Sequence, residues 1–410
     1  MKPRIWIVSE LYYPEETSTG YFLTRIGEGL AAENEVHAVC ARPTYSERGV
    51  PVAWGEIRNG VAIHRMRSTR FAKDSPLGRI CNLVTFTAAA CMLCAARLRR
   101  GDRVLVVTNP PSVPPLIALI AWVKGCKSVL LIHDVYPEVL VATGHVRAGG
   151  MIDRLVAALV RRTYAAFSRV VVLGRDMADL TSAKLGGRDE RIVVIPNWGD
   201  TDKIAPLDRE TNPFIRTNNP LGSTVLQFSG NLGRTHNIET VLEAARLVAD
   251  DARILFQFVG GGGKGGIVAG AADRHNIQAL ERQPRHALNA MLSAGDCAII
   301  GFVDGMLGVS VPSRMYNLMA AGTPIVAMAN ARSELALVVL EEECGWVLAP
   351  DDAEGLASLA RHLTTPEGKA EARRRGANGR DAAEARYSFP VVVRKYRELF
   401  AGIGGSQLVV

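Results

Sequence analysis

The sequence predicts an α/β protein built of two successive doubly wound domains facing a central cleft, and three observations carry that prediction. Short apolar runs rich in Val and Ile alternate with longer helical patterns through most of the chain, as parallel strands covered by helices require. The alternation stops at a polar, proline-bearing stretch, WGDTDKIAPLDRETNPFIRTNNPLGS, and restarts at TVLQFSG. The 410 residues, 48% hydrophobic and 22% charged, suffice for two domains with sizeable cores and exclude a disordered or fibrous chain. The expected boundaries are 1–198, 199–388, and a C-terminal helix in 389–410 that packs back on the first domain.

In chain order, IWIVSE (Ile5 to Glu10) reads as the first strand and TRIGEGLAAE as the helix after it. VHAVCA, VAIHRM, RVLVVT and SVLLIH are further strands. MIDRLVAALVRRTYAAF (Met151 to Phe167) places apolar residues three and four apart with basic residues opposite, an amphipathic helix, before the strands RVVVLG and RIVVIPN. The second series runs TVLQFSG, helix IETVLEAARLVAD, strand ILFQFVG, helix near ALNAMLSAG, strand DCAIIGF, helix SRMYNLMAAG, strand TPIVAMA and a set of C-terminal helices. Ligands of such sheets bind at the carboxyl ends of the strands. Ile80 to Leu98 is almost free of charge, but its Ala, Thr and Cys content and Asn82 favour a domain helix over a membrane span, with shallow interfacial contact as the third reading.

Charge is distributed unevenly. Met1 to Ile195 holds 26 Lys and Arg against 17 Asp and Glu, and the remainder 22 against 24. The basic surplus belongs to the first half and suits an anionic partner such as membrane headgroups or a phosphorylated lipid. Nucleic acid is not expected, because no zinc pattern or aromatic RNA-binding motif accompanies the charge. Seven cysteines with no disulfide framework, and no secretory signal pattern at the start, point to the cytosol. Cys91 and Cys94 form a lone CxxC in an apolar run and read as buried thiols.

Three glycine-bearing segments are candidates for chemistry. The run G260-G-G-G-K-G-G266 follows a strand, but no Ser or Thr follows Lys264, so a flexible turn is expected rather than a nucleotide-triphosphate loop. FSGNLGRTHN, Phe228 to Asn237, joins a strand to a helix, where free amides bind anions; Gly230 and Gly233 permit close backbone approach and Arg234 adds charge, with Asn231 and His236 as polar partners. In VDGMLGVSVPSRMYNLMAAGTPIVA, a loop enters a helix through Pro312, with Ser313 and Arg314 in the first turn and Asn317 one turn on.

The SGNLG turn, the VPSR and YNLMAAGTPIV segments, IPNW at the domain junction and IHDVYPE in the first half together resemble glycosyltransferase family 4, a retaining GT-B family. The likeness is narrower to the bacterial colanic-acid, capsule and O-antigen subgroup, including the L-fucosamine transferase type. It implies a GT-B architecture of two Rossmann-like domains, a nucleotide-sugar donor on the second domain with UDP favoured over GDP, and no metal or other cofactor. The pyrophosphate would be held by Gly230, Asn231 and Arg234 and near Ser313, with charge from Arg234 or Arg314. The family's pair of glutamates is absent: Asn317 stands at the ribose position, Val309 near the earlier one, and Asp304 is the only nearby substitute. Backbone amides of Met306 to Gly308 would meet the sugar, and Glu281 to Pro284 the base.

In the first domain the resemblance implies acceptor contacts from Ser18, Thr19 and Tyr136 and donor phosphate near Gly20, with Thr24 and Arg25 opening the next helix. His133 would orient donor sugar or acceptor, and Asp134 or Glu138 would take the acceptor proton unless the leaving phosphate does so. The expected activity is transfer to a polyprenyl-diphosphate-linked or related glycan acceptor, by a protein peripheral at the inner face of the cytoplasmic membrane. A non-hydrolysing nucleotide-sugar 2-epimerase and a catalytically degenerate nucleotide-sugar-binding subunit are the competing readings.

Overall fold

A computed structural model of the chain describes residues 3–43, 50–71, 76–219 and 222–404. Two compact units emerge: Met1–Pro137, Arg147–Pro196 and Val393–Val410 form the first, Glu138–Val146 and Asn197–Val392 the second. This division differs from the expected boundaries in placing 138–146 with the second unit and in cutting the last helix at Val393.

The first unit holds eight strands: β1 (Arg4–Val8), β2 (Glu35–Ala41), β3 (Gly55–Arg58), β4 (Val61–Met66), β5 (Arg103–Val107), β6 (Lys127–Leu131), β7 (Arg169–Val172) and β8 (Ile192–Val194). They lie in the order β3-β4-β2-β1-β5-β6-β7-β8. All pairs are parallel except β3 with β4. That hairpin turns on Asn59 and Gly60, both at positive φ, the pairing that tight hairpins demand. The helices are α1 (Ser18–Leu30), α2 (Pro76–Arg97), α3 (Val113–Lys124), the single turn α4 (Glu138–Ala142), which falls in the second unit, α5 (Met151–Ala165) and α6 (Arg175–Leu185). The central strands are apolar on both faces, with Ile5, Val106 and Leu130 fully buried, as strands covered on two sides must be.

α1 begins earlier than its apolar pattern suggests. Thr17 caps it, its side chain accepting from the Gly20 amide at 3.3 Å, so Ser18 to Gly20 form the first turn and Thr24 and Arg25 lie in the helix body.

The second unit continues with helices α7 (Pro213–Asn218), α8 (Ile238–Leu247), α9 (Gly265–Ala269), α10 (Leu288–Leu292), α11 (Arg314–Ala320), α12 (Glu334–Glu341), α13 (Ala353–Leu363) and α14 (Pro366–Ala385). Its strands are β9 (Thr224–Asn231), β10 (Ile254–Gly261), β11 (Ile277–Leu280), β12 (Cys297–Gly301), β13 (Ile325–Met328) and β14 (Gly345–Leu348), wholly parallel in the order β11-β10-β9-β12-β13-β14. One apolar core of Phe228, Phe256, Phe258, Ile299 and Val326 from the sheet meets Val241, Ala245 and Leu356 from α8 and α13. On the opposite face of the sheet a ladder of amides crosses three strands: Gln227 donates to Gln257 at 2.8 Å, and Gln257 to Gln278 at 2.7 Å. These side-chain bonds link β9, β10 and β11 and help to set their register.

The polar stretch after Asn197 belongs to the second unit and contains α7, which Asn212 caps through the amides of Phe214 and Ile215; residues 220–221 of that stretch lie outside the described residues. The last helix, α15 (Phe389–Gly404), leaves the second unit at Val393. Beyond it, Arg397 donates from Nε to the Gly29 carbonyl at 3.0 Å and faces Glu33 at 3.6 Å, with Tyr396 and Phe400 buried. The free carbonyls at the C-terminus of α1 thereby gain a cationic partner.

Candidate functional site

In the second unit the site is built around the carboxyl end of β9. Gly230 takes φ +122°, and a Cβ there would lie 3.0 Å from Arg314 Nη1, so only glycine fits without displacing that guanidinium. The turn after it is pinned from both sides. The Leu232 amide donates to Gly261 at 2.9 Å and its carbonyl accepts from the Lys264 amide at 2.8 Å, while the Val303 amide donates to Thr235 at 3.0 Å. Asn237 then caps α8 through the Thr240 amide and donates to the Pro350 carbonyl at 2.7 Å.

The glycine run is therefore not the flexible turn expected of it. Gly260 and Gly261 extend β10 opposite Gly230 and Asn231, and a Cβ on Gly260 would collide with the Gly230 carbonyl. Lys264 donates to the His236 carbonyl at 2.8 Å and to Glu239 at 2.7 Å. The run is the back wall of the 230–237 turn, a role hidden from a reading of either segment alone.

Arg314 opens α11 and reaches under the turn. Nη1 donates to the Ser229 carbonyl, the guanidinium lies 4.4 Å from the centre of the Phe228 ring, and Nη2 is buried with no hydrogen-bond partner among the described residues. Burial lowers its pKa to about 10, which still leaves it charged near neutrality. His236 meets Phe228 edge-on and is stacked on Phe302 with 5.4 Å between ring centres. Its Nδ1 donates to the Gly301 carbonyl at 3.0 Å, and because a carbonyl only accepts, the proton sits on Nδ1. Burial, then the charge of Arg314, pushes its pKa down to about 3, so the ring is neutral. The site thus has one buried cation and one neutral imidazole around a single aromatic ring. Arg234 and Asn231 are exposed on the turn.

The remaining expected donor residues fall into two groups. Gly308 adopts φ +73° in the buried turn Met306–Val309, and Ser313 immediately precedes α11 without making a side-chain cap. Asn317 has its Oδ1 engaged, accepting from the Asp200 amide at 3.0 Å, so only its Nδ2 could serve a ribose hydroxyl. Val309 is 1% exposed and offers no substitute for an acid, while Asp304 is exposed. Glu281 to Pro284 form the loop after β11, at the carboxyl end of that edge strand.

In the first unit His133 and Asp134 follow β6. The His133 amide donates to Thr108 Oγ1 at 3.2 Å, while Nε2 is buried without a hydrogen-bond partner among the described residues. Burial lowers the His133 pKa to about 4 and raises that of Asp134 to about 6. Tyr136 is pushed up to about 12 by burial and then by the neighbouring Asp134. A carboxyl titrating near 6 is suited to accepting a proton at physiological pH, and the imidazole that precedes it in the chain is neutral there. Glu138 opens α4 in the second unit. Ser18 is exposed and Thr19 half-buried at the start of α1. Gly20 lies in the first turn of α1: its amide donates to the Thr17 cap, and a Cβ there would lie 2.7 Å from the Glu15 carbonyl oxygen.

The glycosyl transferase 4-like domain family matches residues 19–198, and the glycosyl transferases group 1 family matches residues 223–365. The chain is 32% identical over 364 residues to a probable glycosyltransferase, WbjE, of Pseudomonas aeruginosa, spanning 87% of this chain and 88% of that one. It is 28% identical over 381 residues to a putative colanic acid biosynthesis glycosyl transferase, WcaI, of Escherichia coli K12, spanning 88% and 92%. Among solved structures, Anabaena HepE in complex with UDP-glucose superposes with a TM-score of 0.71 at 14% identity, covering 97% of this chain and 99% of that one. That likeness shows the fold: the two parallel-sheet units are the Rossmann-like domains of the GT-B class.

Proposed function

This chain belongs to the glycosyltransferases that pair a glycosyl transferase 4-like domain with a group 1 domain, and from that premise we propose how it works and on what. It is a glycosyltransferase of bacterial surface polysaccharide synthesis, the setting of its relative in colanic acid biosynthesis. In our reading it moves a sugar from a UDP-sugar to a polyprenyl-diphosphate-linked acceptor, with retention at the anomeric carbon. The UDP-glucose complex of HepE supports the choice of UDP.

One observation carries the reading: a charged guanidinium buried beneath the glycine turn at the carboxyl end of β9, with a spare donor nitrogen. A nucleoside diphosphate gains negative charge as it leaves, and a fixed cation in a water-poor site stabilises that charge more than a mobile one in solvent. Arg314 supplies the fixed charge, and Arg234, exposed on the same turn, closes over the phosphates from outside.

The bond from the anomeric carbon to the β-phosphate oxygen breaks, its electron pair leaving with UDP, while the acceptor oxygen bonds to that carbon on the face the phosphate leaves, which retains the configuration. Asp134 takes the acceptor proton. His133, neutral at working pH, orients a sugar hydroxyl through Nε2. The basic surplus of the first half holds the protein at the inner membrane surface, where a lipid diphosphate is presented.

A thermal-shift panel of UDP, GDP, ADP and dTDP tests the donor assignment. UDP at about 100 Kd is expected to stabilise the protein by ~2.7 kcal/mol, with weaker shifts from the other nucleotides. Arg234→Ala should weaken UDP about tenfold, the value of one exposed charge-assisted contact. Equal shifts with all four nucleotides, or none, would contradict the assignment.

A further inference from the structure

The first unit leaves a large apolar surface bare. Along α2 the buried residues Phe86, Ala90 and Cys94 face the domain, while Leu77, Ile80, Val84 and Met92 face outward, Leu77 being 75% and Met92 67% exposed. Between Arg79 and Arg97 that helix carries no charge at all. α3 packs beside α2 and α5 beside α3, so their outer faces adjoin. α3 adds Leu116, Leu119 and Trp122, the last 77% exposed, and α5 adds Met151, Ile152 and Leu155, with Met151 85% exposed. So many exposed apolar side chains on three adjoining helices mark an interaction surface on a folded domain.

The charges around it identify the partner. Segments 77–100, 113–127 and 147–166, which make up this face and its edges, hold ten Lys and Arg and one acidic residue, Asp153. Asp153 is itself engaged, accepting from the Gly149 amide at 2.8 Å. A surface that is apolar in the middle and cationic at the border, with an exposed Trp, complements the headgroup and acyl layers of an anionic bilayer. A symmetric contact with a second copy would bring ten like charges against ten, which opposes that alternative.

α2 is long and apolar enough to cross a membrane by length and composition. Its inner face argues against crossing. Asn82 donates to the Phe71 carbonyl at 3.0 Å and accepts from the Phe71 amide at 2.9 Å, and the hydroxyls of Thr87 and Ser112 lie 2.8 Å apart. Spanning would break these bonds and expose the polar groups to lipid. We propose that α2, α3 and α5 together form a monotopic docking face that lies in the plane of the bilayer, seated in the headgroup–acyl boundary of anionic phospholipid. The proposal rests on the reading of a lipid-linked acceptor and assigns the elements that bring the enzyme to it.

Quenching of tryptophan fluorescence by brominated acyl chains is the test, with vesicles of phosphatidylcholine alone and with added phosphatidylglycerol. Quenching is expected with the anionic vesicles, weakened by salt, and largely abolished in Trp122→Phe. Partitioning should fall about tenfold or more in Leu119→Glu and about fivefold for each of Arg161→Gln and Arg162→Gln. All four positions are exposed, so a fold intact by circular dichroism is expected in each variant. Absence of quenching in the unaltered protein, or partitioning indifferent to Leu119→Glu, would overturn the proposal. So would a dimer of the unaltered protein that Leu119→Glu dissociates, which would make a second copy the occupant. UDP binding measured on the same samples separates the two readings. Vesicle binding lost with UDP binding intact defeats the docking face alone, and the reverse defeats the donor site alone.

Discussion

Arg314→Ala is expected to lower kcat by about 10²–10³-fold at saturating donor, equivalent to ~2.7–4 kcal/mol of transition-state stabilisation. In our reading the guanidinium is held where charge develops: it is buried, donates to the Ser229 carbonyl, lies against Phe228 and has no partner at Nη2 among the described residues. Its removal also leaves the Ser229 carbonyl without this donor, which costs about 1–3 kcal/mol of stability and should appear as a lower Tm. Arg314→Lys separates the two effects. A single ammonium cannot bind Ser229 and a phosphate oxygen in the same fork, so activity should recover only in part. Turnover unchanged in a folded Arg314→Ala protein would remove this residue from the donor site.

The second large effect concerns Asp134. Its pKa of about 6 predicts an acidic limb in the rate profile: activity rises with pH through that value as the carboxylate forms. Asp134→Asn should lower the rate by about 10²–10⁴-fold and abolish the limb. The stability effect has the opposite sign. The folded value lies above the unfolded 3.8, so the folded state binds this proton more tightly. The stabilisation that this binding provides is complete below pH 3.8 and is lost as pH rises through about 6. Above that, burying the carboxylate is a burden of up to about 3 kcal/mol. Asp134→Asn is therefore expected to raise Tm at pH 8 while it removes activity, a trade between stability and function that a purely structural carboxyl would not show. Retention of both rate and limb in Asp134→Asn would transfer the proton to the leaving phosphate.

Local patterns in the sequence foretold much of this molecule, and pairings between distant segments did not. Strand and helix order followed from periodicity because parallel central strands are apolar throughout and their helices are amphipathic. The hairpin that adds β3 and the early start of α1 were missed, although Asn59-Gly60 and Thr17 carry the turn and cap chemistry that could have found them. The glycine run defied a local reading because its partner is the turn 230–237 on the adjacent strand, joined through the β9–β10 register. Asn317 was legible as a helix residue next to Arg314, but its bond to Asp200 spans 117 positions, and no spacing rule reveals such a contact. The lipid-facing surface proposed here was legible in part: the charge-free run Ile80 to Leu98 already admitted interfacial contact, while only the packed unit shows α3 and α5 beside it with apolar residues outward.

The central claim is transfer of a sugar from UDP with retention, and the stereochemistry of the product tests it most directly. The full-length protein would be incubated with an α-linked UDP-sugar and a polyprenyl-diphosphate-linked acceptor in anionic vesicles, with the new linkage read by proton NMR. The account predicts an α-linkage formed with one UDP released per bond. A β-linkage, or UDP release without any new glycosidic bond to the acceptor, would contradict it.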